Sequence, residues 1–200
     1  MGHHLATPLY PTTQKRIVDA SETIIATQVT PWGFLNAGVQ VKVRRFDGRD
    51  ISYTNIGFQG SPREVFWGRY IEPFLEDLIV REIALTMDAC RVREIDARLA
   101  LPELQGLLVY SCQKVFSHMA NIDQRLLANG DAQSAPLRAT DTELTNMVTF
   151  IQTHCAAELE MWKPRTLQVW WSHNQFWVWA FGSLLVIAGI LIAAKGAKIF

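Results

Sequence analysis

His154 and Glu158 lie four residues apart, a spacing that puts an imidazole and a carboxylate on one face of an α-helix, where the pair can exchange a proton. His118, from a neighbouring helical stretch, is the residue that could join them. This trio is the chain's nearest approach to a catalytic constellation, since the sequence holds no GxSxG, HExxH, P-loop, GxGxxG or paired CxxC pattern. Both histidines border apolar stripes, and boundary histidines usually hydrogen-bond to a nearby carboxylate or carbonyl. That plainer reading is preferred, so no catalytic residue, metal site or cofactor is expected. Cys155 adds nothing to His154, because adjacent helical residues point about 100° apart and the cysteine falls on the apolar stripe. With Cys90 and Cys112 it makes an odd set of three, which suits reduced thiols in a cytosolic domain.

A second group is basic: Lys42, Arg44, Arg45 and Arg49. Held near a bilayer, these cations would contact anionic headgroups or a partner at roughly 1 kcal/mol each, although solvated strand charges, with Arg45 opposite Asp50, are the default. Nucleic acid is not expected. Nineteen basic and nineteen acidic residues leave no global field, and only Tyr53 lies close enough to interleave with the cations.

The strongest signal is apolar. Phe176 to Ala194 (FWVWAFGSLLVIAGILIAA) carries no charge, and as a helix it would be about 28 Å long at ~1.5 Å per residue, near the ~30 Å hydrocarbon core of a bilayer. Trp170, Trp171, Trp177 and Trp179 crowd one boundary, where an indole keeps its ring among apolar groups and its N–H among headgroups. Lys195 and Lys198 close the other, with stems long enough to snorkel. Gly189 and Ala193 recur four residues apart, a spacing that lets two membrane helices approach closely. The expectation is a single-pass, tail-anchored protein in a bacterial inner membrane or a eukaryotic organelle membrane. With no signal-peptide pattern in MGHHLATPLYPTTQK, its N-terminal part is placed in the cytosol.

The elements that must carry these residues read as α+β, predominantly helical. Residues 1–60 hold a helix and a β-hairpin, and 61–163 form a helical bundle packing with them as one soluble domain. Residues 164–175 make an amphipathic connector at the membrane surface, 176–194 the transmembrane helix, and 195–200 a basic tail. A first helix is expected over Thr13 to Thr27, capped by Thr12 or Thr13, followed by a loop that tucks Trp32 and Phe34 beneath the domain. Val39 to Phe58 alternates with period two about Asp47-Gly48. A two-residue turn there pairs Val41 with Thr54 and Lys42 with Tyr53; a bulged turn would bring Val43 against Tyr53.

Ser61-Pro62-Arg63-Glu64 is a capping box, and Pro73 either kinks the helix it opens or restarts it. Phe74 to Ala89 is apolar on more than one face and reads as a central buried helix, with Asp88–Arg91 and Glu94–Arg98 pairing along its continuation. Pro102-Glu103 opens a helix to Ala128 whose seam is Leu108, Cys112, Val115, Met119, Ile122 and Leu126. Thr140-x-x-Glu143 caps the last soluble helix, striped by Leu144, Val148, Ile151, Cys155, Leu159 and Trp162. The function expected from this plan is non-enzymatic, an interaction or assembly subunit that holds a protein partner or a homo-oligomer at the bilayer through the bundle. The alternatives are a membrane-attached enzyme and a membrane-perturbing or lipid-binding effector.

Overall fold

The longest helix of the bundle, α3 (Ala97–Ala128), is the element against which the others pack. The computed structural model describes residues 6–35, 40–54, 61–129, 138–163 and 167–196, with side chains in the last helix described at 171 and 174–187. Around α3 stand α1 (Tyr10–Ile24), α2 (Glu72–Arg93) and α4 (Arg138–Met161), with a two-stranded antiparallel sheet of β1 (Val41–Arg44) and β2 (Asp50–Tyr53) at one end. The protein is mostly helical, and its core is one cluster running from Leu9 to Trp162. All six seam residues of α3 face that core, Ile122 only half-buried.

Several boundaries differ from expectation for identifiable reasons. The first helix starts at Tyr10 with Pro11 in its first turn and Leu9 at the cap, so neither Thr12 nor Thr13 caps it. It passes into a π-helical turn (Ile25–Val29) and a 3-10 turn (Thr30–Phe34), which bury Trp32 completely but leave Phe34 71% exposed. A mid-sequence proline does not start α3 either. Asp96 accepts a hydrogen bond from the Arg98 N–H at 3.0 Å as the true cap, and Pro102 sits inside the helix. Glu103, beside it, accepts from the N–H and hydroxyl of Thr7 and ties the start of the chain to α3.

The capping box at Ser61 forms as read: Arg63 N–H donates to Ser61 Oγ at 3.2 Å and Ser61 N–H to Glu64 Oε2 at 3.3 Å. It opens a nine-residue π-helical segment (Arg63–Ile71) that runs directly into α2 at Glu72, so the helix neither stops nor restarts at Pro73, which lies where π-helical winding gives way to α. α2 is not buried all round. Leu75, Leu78, Ile79, Glu82, Ile83, Thr86, Met87 and Cys90 make one stripe, while Val80, Leu85 and Val92 are exposed. Glu94 ends it in the left-handed region (φ 57°), so the charges from Asp88 to Arg98 lie on two helices rather than one. The Asp88–Arg91 pair forms at 2.9 Å; the structure places Glu94 and Arg98 on opposite sides of the break.

Thr140 is no cap, because α4 already begins at Arg138. The expected connector and anchor are also not separate. One helix, α5 (Leu167–Gly196), runs through both, about 45 Å at ~1.5 Å per residue. Among the described residues no helix is long and apolar enough to cross a membrane; the described side chains of α5 stop at Ile187, short of the end of the apolar run at Ala194.

The hairpin turns where Asp47-Gly48 stands, with a register neither expectation contained. Val41 faces Tyr53, Lys42 Ser52, Val43 Ile51 and Arg44 Asp50. The loop is three residues, Phe46-Asp47-Gly48, closed by Gly48 N–H to the Arg45 carbonyl (3.0 Å) and Arg45 N–H to the Arg49 carbonyl (2.8 Å). Gly48 takes φ 82°, the left-handed position that comes after a type I turn in such loops. Asp50 therefore pairs with Arg44, not Arg45.

Candidate functional site

The expected site residues fall in three places, which the structure does not bring together. The first is α5. Trp171 (51% exposed) stands near its start; Phe176, Trp177, Trp179, Phe181 and the run Leu184, Leu185, Val186, Ile187 are all exposed as well. Four consecutive residues at about 100° per step reach nearly every side of a helix, and no described residue of α5 belongs to the core. Gly189, Ala193 and Lys195 lie further along the same helix, with nothing described beyond their backbone, as for Trp170; Lys198 lies outside the described residues.

The second is the hairpin. Arg44 reaches Asp50 with Nε at 3.0 Å and Nη2 at 3.4 Å, which lowers the Asp50 carboxyl below its ordinary range through that hydrogen bond and the charge beside it. Arg45 reaches Asp47 at 3.4 Å and lies 4.5 Å over the Tyr70 ring. Two of the four cations are thus turned to partners on their own hairpin or beneath it, and Lys42 and Arg49 are exposed.

The third is the histidine trio. His154 is half-buried with its ring 4.3 Å from that of Phe150, Glu158 is half-buried one turn on, and His118 is exposed on α3. No hydrogen bond joins any two of them among the described residues. The three free cysteines are buried, and desolvation pushes the thiols up, to about 11 for Cys90 and Cys155 and about 12 for Cys112. Thiols so protonated are poor nucleophiles.

Comparison with protein families, with curated proteins and with solved structures finds no match to this chain. What the chain does has to be argued from its own side chains.

One constellation is not foreshadowed by any motif of the sequence. Arg63, buried at the start of the π segment, makes an ion pair with Glu143 of α4, and the carboxylates of Asp123 (α3) and Glu72 (α2) act on the same guanidinium. Burial lowers Arg63 from its ordinary value and raises Asp123 and Glu72 from theirs, with Arg63 opposing both rises. Three carboxylates thus share one cation, and Asp123 Oδ1 and Glu72 Oε1 find no hydrogen-bond partner among the described residues. One local signal exists: Asp123 sits four residues after Met119 and three before Leu126, a charge on the apolar stripe of α3. Arg63 and Asp123 are buried and Glu72 and Glu143 half-buried, so the cluster is a structural joint between four elements.

The joint makes stability depend on pH. Asp123 holds its proton more tightly folded than unfolded, so its contribution falls as pH rises from the ordinary carboxylate range through its raised folded value, and is flat above that. Asp123→Asn keeps the shape and the acceptor toward Ser61 without the charge. Its urea midpoint, measured from pH 4 to pH 7, should decline less than that of the unaltered chain.

Proposed function

We propose that the chain is a non-enzymatic interaction or assembly subunit, held at a membrane by α5 and meeting a protein partner through its helical bundle. One observation carries the membrane half: eight large apolar side chains between Phe176 and Ile187 stand exposed around α5. Covering each would be favourable by about 1.5–3 kcal/mol, and a helix apolar on every side needs a core or a bilayer around it. The bundle does not supply that cover. Residues 188–194 continue the uncharged run in the sequence and bring it to a spanning length.

The non-enzymatic half is supported by the buried, protonated thiols. It is supported also by the dispersal of the hairpin arginines onto their own carboxylates.

The test is fractionation of the full chain beside a Leu184→Arg, Val186→Arg double variant. Ten Leu, Ile, Val and Phe residues between 176 and 194 contribute roughly −3 to −6 kcal/mol to insertion, and two central arginines cost about 5–7 kcal/mol. The unaltered chain should therefore stay with membranes through alkaline carbonate while the double variant is released. Carbonate release of the unaltered chain would overturn the membrane reading. A stoichiometric partner that co-purifies in mild detergent, and that residues 1–163 retain, supports the interaction half; a chain that purifies alone in both forms refutes it.

A further inference from the structure

Between the outer side of α1 and the hairpin tip lies a groove of about 400 Å³, lined by Asp19, Thr23, Thr27, Gln28, Arg44, Arg45 and an apolar floor. The floor is Ala20 and Ile24 with Phe46 and Phe74, whose rings stack 3.8 Å apart and 3° from parallel. The donors on the α1 bank are spent. Thr23 donates to the Asp19 carbonyl at 2.8 Å, Thr27 to the Thr23 carbonyl at 2.7 Å, and the Gln28 amide nitrogen to the Arg44 carbonyl and to Thr27 Oγ1. On the opposite bank Arg44 and Arg45 are turned to Asp50 and Asp47. Apart from guanidinium N–H groups, the unused capacity on this lining is for accepting: the exposed Asp19 carboxylate, which makes no ion pair among the described residues, and lone pairs on both threonine hydroxyls.

We infer that this groove receives a basic side chain, lysine or arginine, presented by the protein partner. The charges decide the sign. Arg44 and Arg45 each have a carboxylate of their own, which leaves Asp19 as the one uncompensated charge on the described lining. An alkyl stem fits over Ile24 and the stacked phenylalanines, whose ring faces also attract a cation. The volume suits one such side chain and its flanking backbone. This inference rests on the partner reading above and names the chemistry that the partner brings.

The experiment uses the full chain in a non-ionic detergent and three capped peptides, acetyl-Gly-Ala-Xaa-Ala-Gly-amide, with lysine, norleucine or glutamate at Xaa. Binding is read from broadening of the peptide proton resonances. The lysine peptide should bind about tenfold better than the other two, the size of one charge-assisted hydrogen bond. Asp19→Asn should erase that preference, and Thr23→Val with Thr27→Val should weaken it severalfold. Equal binding of norleucine would mean an apolar groove only, and better binding of glutamate would mean that the arginines govern it; either overturns the inference. So would no binding of any peptide, or lysine selectivity that survives Asp19→Asn. Co-purification in mild detergent separates the two ideas: a chain that purifies alone yet selects the lysine peptide fails the partner reading and keeps the groove, whereas a chain that retains its partner but shows no lysine selectivity keeps the partner reading and fails the groove.

Discussion

Replacing Arg63 by methionine is expected to destabilise the folded chain by about 3–5 kcal/mol at neutral pH, the cost of leaving buried charge without its partner. Methionine fills much of the volume, so packing is not the main loss. Glu143, Asp123 and Glu72 would then face one another with no cation among them. Their proton affinities rise further, which fixes the sign of the pH effect: acidification protonates the carboxylates in the folded state and restores part of the loss. Urea unfolding monitored by circular dichroism at pH 7 and pH 5 checks both statements. A second variant separates charge from shape. Arg63→Met with Asp123→Asn and Glu143→Gln removes the excess charge and should recover more than half of the single-variant loss. If Arg63→Met alone costs under 1 kcal/mol at pH 7, the network is not a joint of the fold.

Trp32→Ala should cost about as much, roughly 3–5 kcal/mol, by a different mechanism, the opening of a cavity beneath the hairpin. Trp32 is fully buried, with ring centroids 4.8 Å from Tyr53, 5.8 Å from Phe66 and 6.4 Å from Trp67. Two strands alone are marginal in water, so β1 and β2 depend on this ring. Their amide protons should lose protection from exchange before those of α3 do. Trp32→Phe is expected to lose less than half as much. It keeps an aromatic contact with Tyr53 and removes an indole N–H that is buried without an acceptor among the described residues. Equal losses for Ala and Phe would show that shape, rather than ring contact, governs the site.

The helices were legible where the apolar period of about 3.6 was unbroken, as along the six seam residues of α3. Their ends were less so, because capping chemistry is local and more than one residue qualifies: Asp96 competes with Pro102-Glu103, and Pro11 with Thr12. Asp47-Gly48 marked the turn, but the same dipeptide serves a two-residue loop and a three-residue loop with glycine in the left-handed region. The alternation of Val41 and Val43 is identical in both, so the register was open. Arg63 was visible only as part of a cap. Its second role depends on Asp123 and Glu143 arriving from helices that begin about 35 and 75 residues later, a juxtaposition that arises from tertiary packing and from no local pattern. The uncharged apolar run from Phe176 to Ala194 was legible from composition alone. The groove at Asp19 was not, since its banks come from α1, the hairpin tip and Phe74.

The ties between the beginning of the chain and α3 set a timetable for synthesis. Thr7 meets Glu103, Glu22 meets Lys114 and Gly33 meets Arg125, partners 96, 92 and 92 residues apart. At roughly 5–20 residues per second on a ribosome, α1 and the 3-10 turn after it emerge about 5–20 s before the helix that covers them. During that interval Ile17, Ile24 and Trp32 have no core to enter, so the nascent N-terminal segment is a natural client for a chaperone.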